Sequence, residues 1–232
     1  MQEQTKYNKY RAYPYICNVL KTIYAIPGLG TTEKLFEFIH IANCEIKVLQ
    51  WPETEKGMTL EQYAQLFIPQ INTSKPFSLM GVSFGGMICS ELSHIINAEK
   101  VILISSCKNK NELPWILRFQ KYIPLYKLFS ENVLRRFAFN SRWLLGFKKE
   151  YKLAFEEMIN AMPKNYVQLS IGMIVNWKNV KTPKNCIHIH GKKDNLLLYK
   201  NVKADHSIEN GGHAMIVYQA ENINTLLSGL IK

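Results

Sequence analysis

Long apolar runs are missing from this 232-residue sequence. None approaches the roughly 20 residues that a helix needs to cross a bilayer, which excludes a spanning segment of that kind. Cysteine is sparse and scattered: Cys17, Cys44, Cys89, Cys107 and Cys186 are odd in number, far apart and free of any C-x-x-C spacing. That pattern argues against a disulfide framework and against a metal site, and a reducing cytoplasm is the compartment it fits. Buried small apolar side chains is the plain expectation for all five. No signal peptide is expected either, because residues 1–11 are polar and tyrosine-rich and no small-residue cleavage pattern follows the short apolar stretch at 13–20. Acidic residues are in short supply, 18 against 29 Lys and Arg, for a net charge of +11. The imbalance is local: residues 108–184 hold 15 basic and 5 acidic side chains, and the rest hold 14 and 13. Charge alone admits a nucleic-acid partner, but no recognition motif accompanies it, so none is expected. What is left, 47% hydrophobic and 20% charged, is the composition of one globular domain with a core of its own.

Along the chain, β-branched runs alternate with amphipathic stretches. A strand with Ile23-Tyr24-Ala25-Ile26 stops in Pro27-Gly28-Leu29-Gly30, a loop with free backbone N–H groups, and a helix over 33–41 places Leu35, Phe36 and Ile39 on one face. A strand at 45–50 follows. Thr59 and Gln62 then form a capping box that opens a helix carrying Leu60, Tyr63, Ala64 and Phe67. Residues 77–82 read as a strand, 87–96 as a helix, and Val101-Ile102-Leu103-Ile104 as a strand buried on both faces. Between 108 and 181 there is no convincing strand, only helical runs broken by Pro114, Pro124 and Pro163. Alternation resumes with strands at 186–191 and 207–209 and a closing helix over 214–231, whose inner side carries Ile216, Ile223, Leu227 and Leu230. The order predicts an α/β protein: a mostly parallel sheet with helices on both faces, a core from residues 1–107 and 185–232, and an inserted helical cap at 108–184. About 20 residues precede the first clear strand, so six or seven strands are expected rather than eight.

Between the strand at 77–82 and the next helix lies Gly81-Val82-Ser83-Phe84-Gly85-Gly86, a G-x-S-x-G turn in the setting of a nucleophile elbow. A serine on so sharp a strand-to-helix turn takes a left-handed conformation, and its neighbours two positions away must lack a Cβ. Gly81 and Gly85 do. Ser83 is therefore the candidate nucleophile, and the Phe84 N–H, at the start of a helix, points at any developing oxyanion. A nucleophilic serine needs a base and a group that orients it. Among six histidines, His213 lies in a loop after the last predicted strand, where it can reach over the C-terminal edge of the sheet. His40, His94 and His188 fall within predicted elements, and His190 and His206 border strands. Asp194 lies just past the strand ending at His190-Gly191, at the same edge as Ser83. Its competitor, Asp205, precedes the last strand and so belongs to the opposite edge.

Serine, aspartate and histidine in this chain order, together with the elbow, the Pro27-Gly28-Leu29-Gly30 loop, His190-Gly191-Lys192-Lys193-Asp194 and Gly212-His213, resemble the α/β-hydrolase superfamily over essentially the whole chain. The resemblance implies that Ser83 attacks an acyl carbonyl, His213 carries the proton, Asp194 fixes the imidazole, and the N–H groups of Leu29 and Phe84 form the oxyanion hole. It also implies a cap over the nucleophile, where Trp115, Phe119, Tyr122, Phe129, Phe137 and Trp143 either line an acyl pocket or bury the cap's own apolar face. The departure is Ile26-Pro27-Gly28, where many members carry His-Gly. A serine hydrolase of small or medium acyl esters or thioesters, using no cofactor and no metal, is the leading expectation. An acyltransferase, a carbon–carbon bond hydrolase and a non-catalytic small-ligand receptor are the alternatives on the same fold. The cap's charge has three readings: attraction of an acidic acyl substrate, contact with an anionic membrane surface, or a solvated face.

Overall fold

A computed structural model describes residues 20–231. Cys17 and nearly all of the stretch at 1–20 lie outside them. Six strands, β1 Lys21–Ile26, β2 Cys44–Val48, β3 Phe77–Val82, β4 Val101–Ile104, β5 Cys186–Gly191 and β6 His206–Ile208, form one sheet in the order β2-β1-β3-β4-β5-β6, with every pair parallel. The α-helices are α1 Leu60–Gln65, α2 Phe84–Leu92, α3 Trp115–Phe119, α4 Glu131–Asn140, α5 Lys152–Asn160, α6 Tyr166–Val175, α7 Met215–Tyr218 and α8 Ala220–Leu230. Between β4 and β5 the described chain contains helices α3 to α6 and no strand. None of the described helices is long and apolar enough to cross a membrane.

The central strand β4, Val-Ile-Leu-Ile, reads as an unbroken apolar run because both faces of the sheet are covered there, whereas the edge strand β2 alternates Glu45 and Lys47 with less exposed residues. Side chains alternate across a strand, so each run divides between two clusters. Tyr24, Ile26, Leu79, Val101 and Leu103 pack with Leu60, Tyr63, Phe84, Ile88 and Tyr166 from α1, α2 and α6. Ile23, Ala25, Met80, Val82, Ile102 and Ile104 pack on the other face with Leu35, Ile39, Phe155, Met215, Ile223 and Leu227. The capping box opens α1 as the sequence implied, the Gln62 N–H donating to Thr59 Oγ1 at 3.2 Å and the Thr59 N–H to Gln62 Oε1 at 2.9 Å.

Three elements depart from the sequence reading. The helix expected over 33–41 is a single 3-10 turn, Glu33–Phe36, followed by irregular chain. So short a segment forms no stable helix by itself, and burial of Leu35, Phe36, Ile39 and Ile41 against the sheet needs none. The elbow helix stops at Leu92 rather than near 96. The closing helix is broken at Gln219, where φ is −128° and ψ 26°, so that α7 and α8 pack on the sheet as separate pieces and Leu230 is only half-buried.

Candidate active site

In a parallel sheet all C-terminal strand ends meet at one edge, and a crevice opens where the strand order reverses. Here the chain runs from β1 outward to β2, then returns to β3 on the other side of β1. The loop after β1 and the turn after β3 therefore border the crevice.

Ser83 occupies that turn with φ 53° and ψ −117°, a strained backbone for a residue with a side chain. The surroundings hold it there. A Cβ at Gly81 would strike the backbone of Gly85, and one at Gly85 would strike the carbonyls of Ile26 and Pro27. The Ser83 N–H donates to Ile104 O at 3.0 Å, and the Ser106 hydroxyl donates to Ser83 O at 2.6 Å from the space that a side chain at position 86 would fill. Facing the turn, the Pro27-Gly28-Leu29-Gly30 loop is pinned by Thr31, whose hydroxyl and N–H both donate to Gly28 O at 2.8 and 3.1 Å. Trp51 Nε1 donates to Thr31 O at 2.9 Å, and its ring stacks on Phe84. Among the described residues the N–H groups of Leu29 and Phe84 have no hydrogen-bond partner.

Two further loops converge on Ser83. The loop after β5 is joined to that after β6 by the Lys193 N–H, which donates to Gly211 O at 2.9 Å, and by close contact of Gly191 with Gly211. This carries the Asp194 and His213 side chains into reach of each other. The Ser83 hydroxyl donates to His213 Nε2 at 2.9 Å, and His213 Nδ1 donates to Asp194 Oδ2 at 2.8 Å. Asp194 Oδ1 accepts from the N–H groups of Leu196 and Leu197, each at 2.9 Å. The carboxylate and the imidazole are nearly inaccessible, at 3% and 7% exposure, which puts the chain of hydrogen bonds in a low-dielectric setting.

The sequence reading left one neighbour out of this arrangement. His190, weighed there as a rival base, sits behind the carboxylate. Its Nε2 lies 2.6 Å from Leu197 O and 3.3 Å from Asp194 Oδ2. Both oxygens only accept, so this nitrogen carries the proton. His190 Nδ1 meets His188 Nε2 at 3.2 Å, and burial, with His190 and Lys108 beside it, pulls the His188 imidazole down to about 3, so it is neutral near physiological pH. The H-x-H spacing on β5 was the available signal: period two sends both rings to one face of the strand. Asp205 stands apart from the crevice, accepting from the His188 N–H at 2.8 Å and lying 3.6 Å from Lys108 Nζ. His40 and His94 are exposed and His206 is half-buried.

Burial pushes the Asp194 carboxyl up, but the charge that His213 can carry and the hydrogen bonds from His190 and His213 outweigh it and hold the group well below the usual carboxylate range. The unfolded chain protonates this aspartate near pH 3.9, roughly, while the native state does not, so its contribution is complete above that pH and is lost as pH falls toward the lower native value. Asp194→Asn is expected to lose stability near neutral pH and to show a shallower decline below about pH 4, measured as unfolding midpoints in urea across that range.

Above Ser83 lies a cavity of about 600 Å³, within the usual range for small-ligand sites. Ser83, Leu29, Phe84 and His213 form its floor, and α3, α4 and α6 contribute Phe119, Phe137 and Ile171. Among the described residues no Lys, Arg, Asp or Glu lines it. Of the aromatic side chains expected in the pocket, Phe119, Phe129 and Phe137 line it, whereas Trp115, Tyr122 and Trp143 do not and face solvent instead. Helical spacing places a residue on a face but does not say whether that face meets the cavity or the water. Gly146, at φ +80°, brings the backbone between α4 and α5 against the N–H groups of His213 and Ala214.

No family profile and no curated protein matches the sequence. Solved structures do. A hydrolase of Pseudomonas aeruginosa superposes with a TM-score of 0.67 at 14% identity, covering 91% of each chain. A lipase-esterase related protein of Clostridium acetobutylicum superposes with a TM-score of 0.65 at 18% identity, over 91% of this chain and 94% of that one. The chain has the α/β-hydrolase fold. The type II thioesterase of the borrelidin biosynthetic cluster shares it too, with a TM-score of 0.62 at 14% identity over 95% of both chains. In this α/β-hydrolase fold, helices α3 to α6 stand over the C-terminal edge of the sheet between β4 and β5.

Proposed function

We propose that the protein is a serine hydrolase that cleaves small or medium apolar acyl esters or thioesters through an acyl-enzyme. The observation that carries this reading is the 2.9 Å contact of Ser83 Oγ with His213 Nε2, itself backed by Asp194 at 2.8 Å, on the floor of an uncharged cavity. His213 Nε2 takes the hydroxyl proton as Ser83 Oγ bonds to the acyl carbon. Negative charge collects on the carbonyl oxygen, where the free N–H groups of Leu29 and Phe84 receive it. The carbon–oxygen or carbon–sulfur bond then breaks, and the leaving group takes the proton from His213. Water repeats the sequence on the acyl-enzyme, releases the acid and restores Ser83. Asp194 keeps its charge and holds the imidazole with Nε2 toward the serine. The names of the structural neighbours, which include lipase-esterase and thioesterase, are in keeping with ester or thioester substrates. A cavity without Lys or Arg favours an apolar acyl group, and any anionic part of the substrate would lie outside it.

A fluorophosphonate probe tests the reading directly. The expected result is one adduct, located to Ser83 by peptide mass and absent from a folded Ser83→Ala variant. A folded wild-type protein that takes up no probe would overturn the assignment of an activated nucleophile.

A further inference from the structure

The cap presents apolar and cationic side chains to solvent on the stretch that forms the cavity mouth. Of the large apolar side chains that are well exposed, twelve fall within residues 115–153 and five in the rest of the described chain. Single exposed apolar residues are ordinary, whereas a concentration of them marks an interaction surface. Ile116, Phe119, Ile123, Phe129, Val133 and Phe137 are each about half exposed and also line the cavity. An apolar surface thus runs from solvent down to Ser83.

Cations are set among these side chains. Residues 115–153 hold nine Lys and Arg against two Glu. Of the two, Glu131 is consumed internally: it binds Arg135 at 2.8 Å and accepts from the N–H groups of Val167 and Gln168 at the start of α6. Arg118, Lys121, Lys127 and Arg136 are exposed and form no salt bridge among the described residues. Trp115 and Tyr122, 66% and 78% exposed, flank the first two of these.

We propose that this face of the cap docks on an anionic lipid surface, with the cavity mouth opening onto it. Aromatic and aliphatic side chains interleaved with Lys and Arg are the composition of a segment that lies in a membrane interface. The cations draw the face to anionic headgroups, and the rings settle at the boundary between headgroups and acyl chains. The mouth then faces the lipid, and an acyl chain can enter the cavity without crossing water. That last step rests on the acyl-hydrolase reading above; the docking does not.

Flotation with vesicles separates the possibilities. The full chain is expected to float with phosphatidylcholine vesicles containing phosphatidylglycerol, to float poorly with phosphatidylcholine alone, and to be released by added salt. A variant combining Trp115→Ser, Arg118→Glu, Lys121→Glu and Tyr122→Ser, none of which lines the cavity, should lose more than about tenfold of its partitioning. Its hydrolysis of soluble p-nitrophenyl butyrate should equal that of the wild type. Ser83→Ala should bind vesicles as the wild type does, so failure of the hydrolase reading would leave this result standing. The proposal is overturned if the variant floats as well as the wild type. It is equally overturned if the full chain binds no anionic vesicle, whether an acidic acyl carrier protein saturates the patch, self-association buries it, or neither occurs.

Discussion

Ser83→Ala and His213→Ala are each expected to lower kcat for a p-nitrophenyl ester by about 10⁶-fold, and the double variant by no more than either alone. The two side chains share one proton through a 2.9 Å contact, so removing either leaves the other without a task. What remains on the proposed reading should come from the N–H groups of Leu29 and Phe84 and from binding in the cavity, about 10³- to 10⁴-fold over water. KM should move little, because the cavity walls are untouched. Steady-state rates and urea unfolding of all three variants check this. Losses that multiply in the double variant would show that the residues act independently, and the triad reading would then fail.

Gly85→Ala is expected to destabilise the fold by about 3 kcal/mol or more, without removing any functional side chain. The added Cβ would strike the carbonyls of Ile26 and Pro27. That backbone cannot step aside, because β1 is paired on both edges, with β2 and with β3. Relief would have to come from moving α2 off the sheet, at the cost of packing around Phe84, Met87 and Ile88. Gly229→Ala is the control. A Cβ there meets nothing within 4 Å and lies within helix α8, so a gain of about 0.5–1 kcal/mol is expected from helix propensity. Urea unfolding of both variants measures the contrast, and equal stabilities would mean that the elbow tolerates more than its geometry implies.

The strands at 77–82 and 101–104 were legible because a strand buried on both faces leaves a largely apolar run between polar punctuation, and that at 186–191 because Ile187 and Ile189 alternate with two histidines ahead of a glycine. The segment at 33–41 was legible only as an apolar pattern. Whether that pattern closes into a helix depends on how the sheet receives Leu35 and Ile39. Ser83, Asp194 and His213 could be grouped from sequence because loops that follow parallel strands share an edge. His190, Ser106 and Thr31 could not: His190 meets Asp194, and Thr31 the Gly28 carbonyl, only through the way one loop folds back on itself, and Ser106 reaches the Ser83 carbonyl from the adjacent strand end.

A parallel α/β protein with a G-x-S-x-G turn and a basic, strand-free stretch before its fifth strand could be read from the residues alone, because periodicity, turn chemistry and charge are local properties that survive without coordinates. Packing made the stretch between β4 and β5 line a cavity that has no charged side chain among the described residues, turned Phe119 and Phe137 into it and Trp115, Tyr122 and Trp143 toward water, and buried two histidines behind the carboxylate. The pocket depends on how helices α3 to α6 pack on one another, and the burial of His188 and His190 on what covers β5; neither is a local property of the chain.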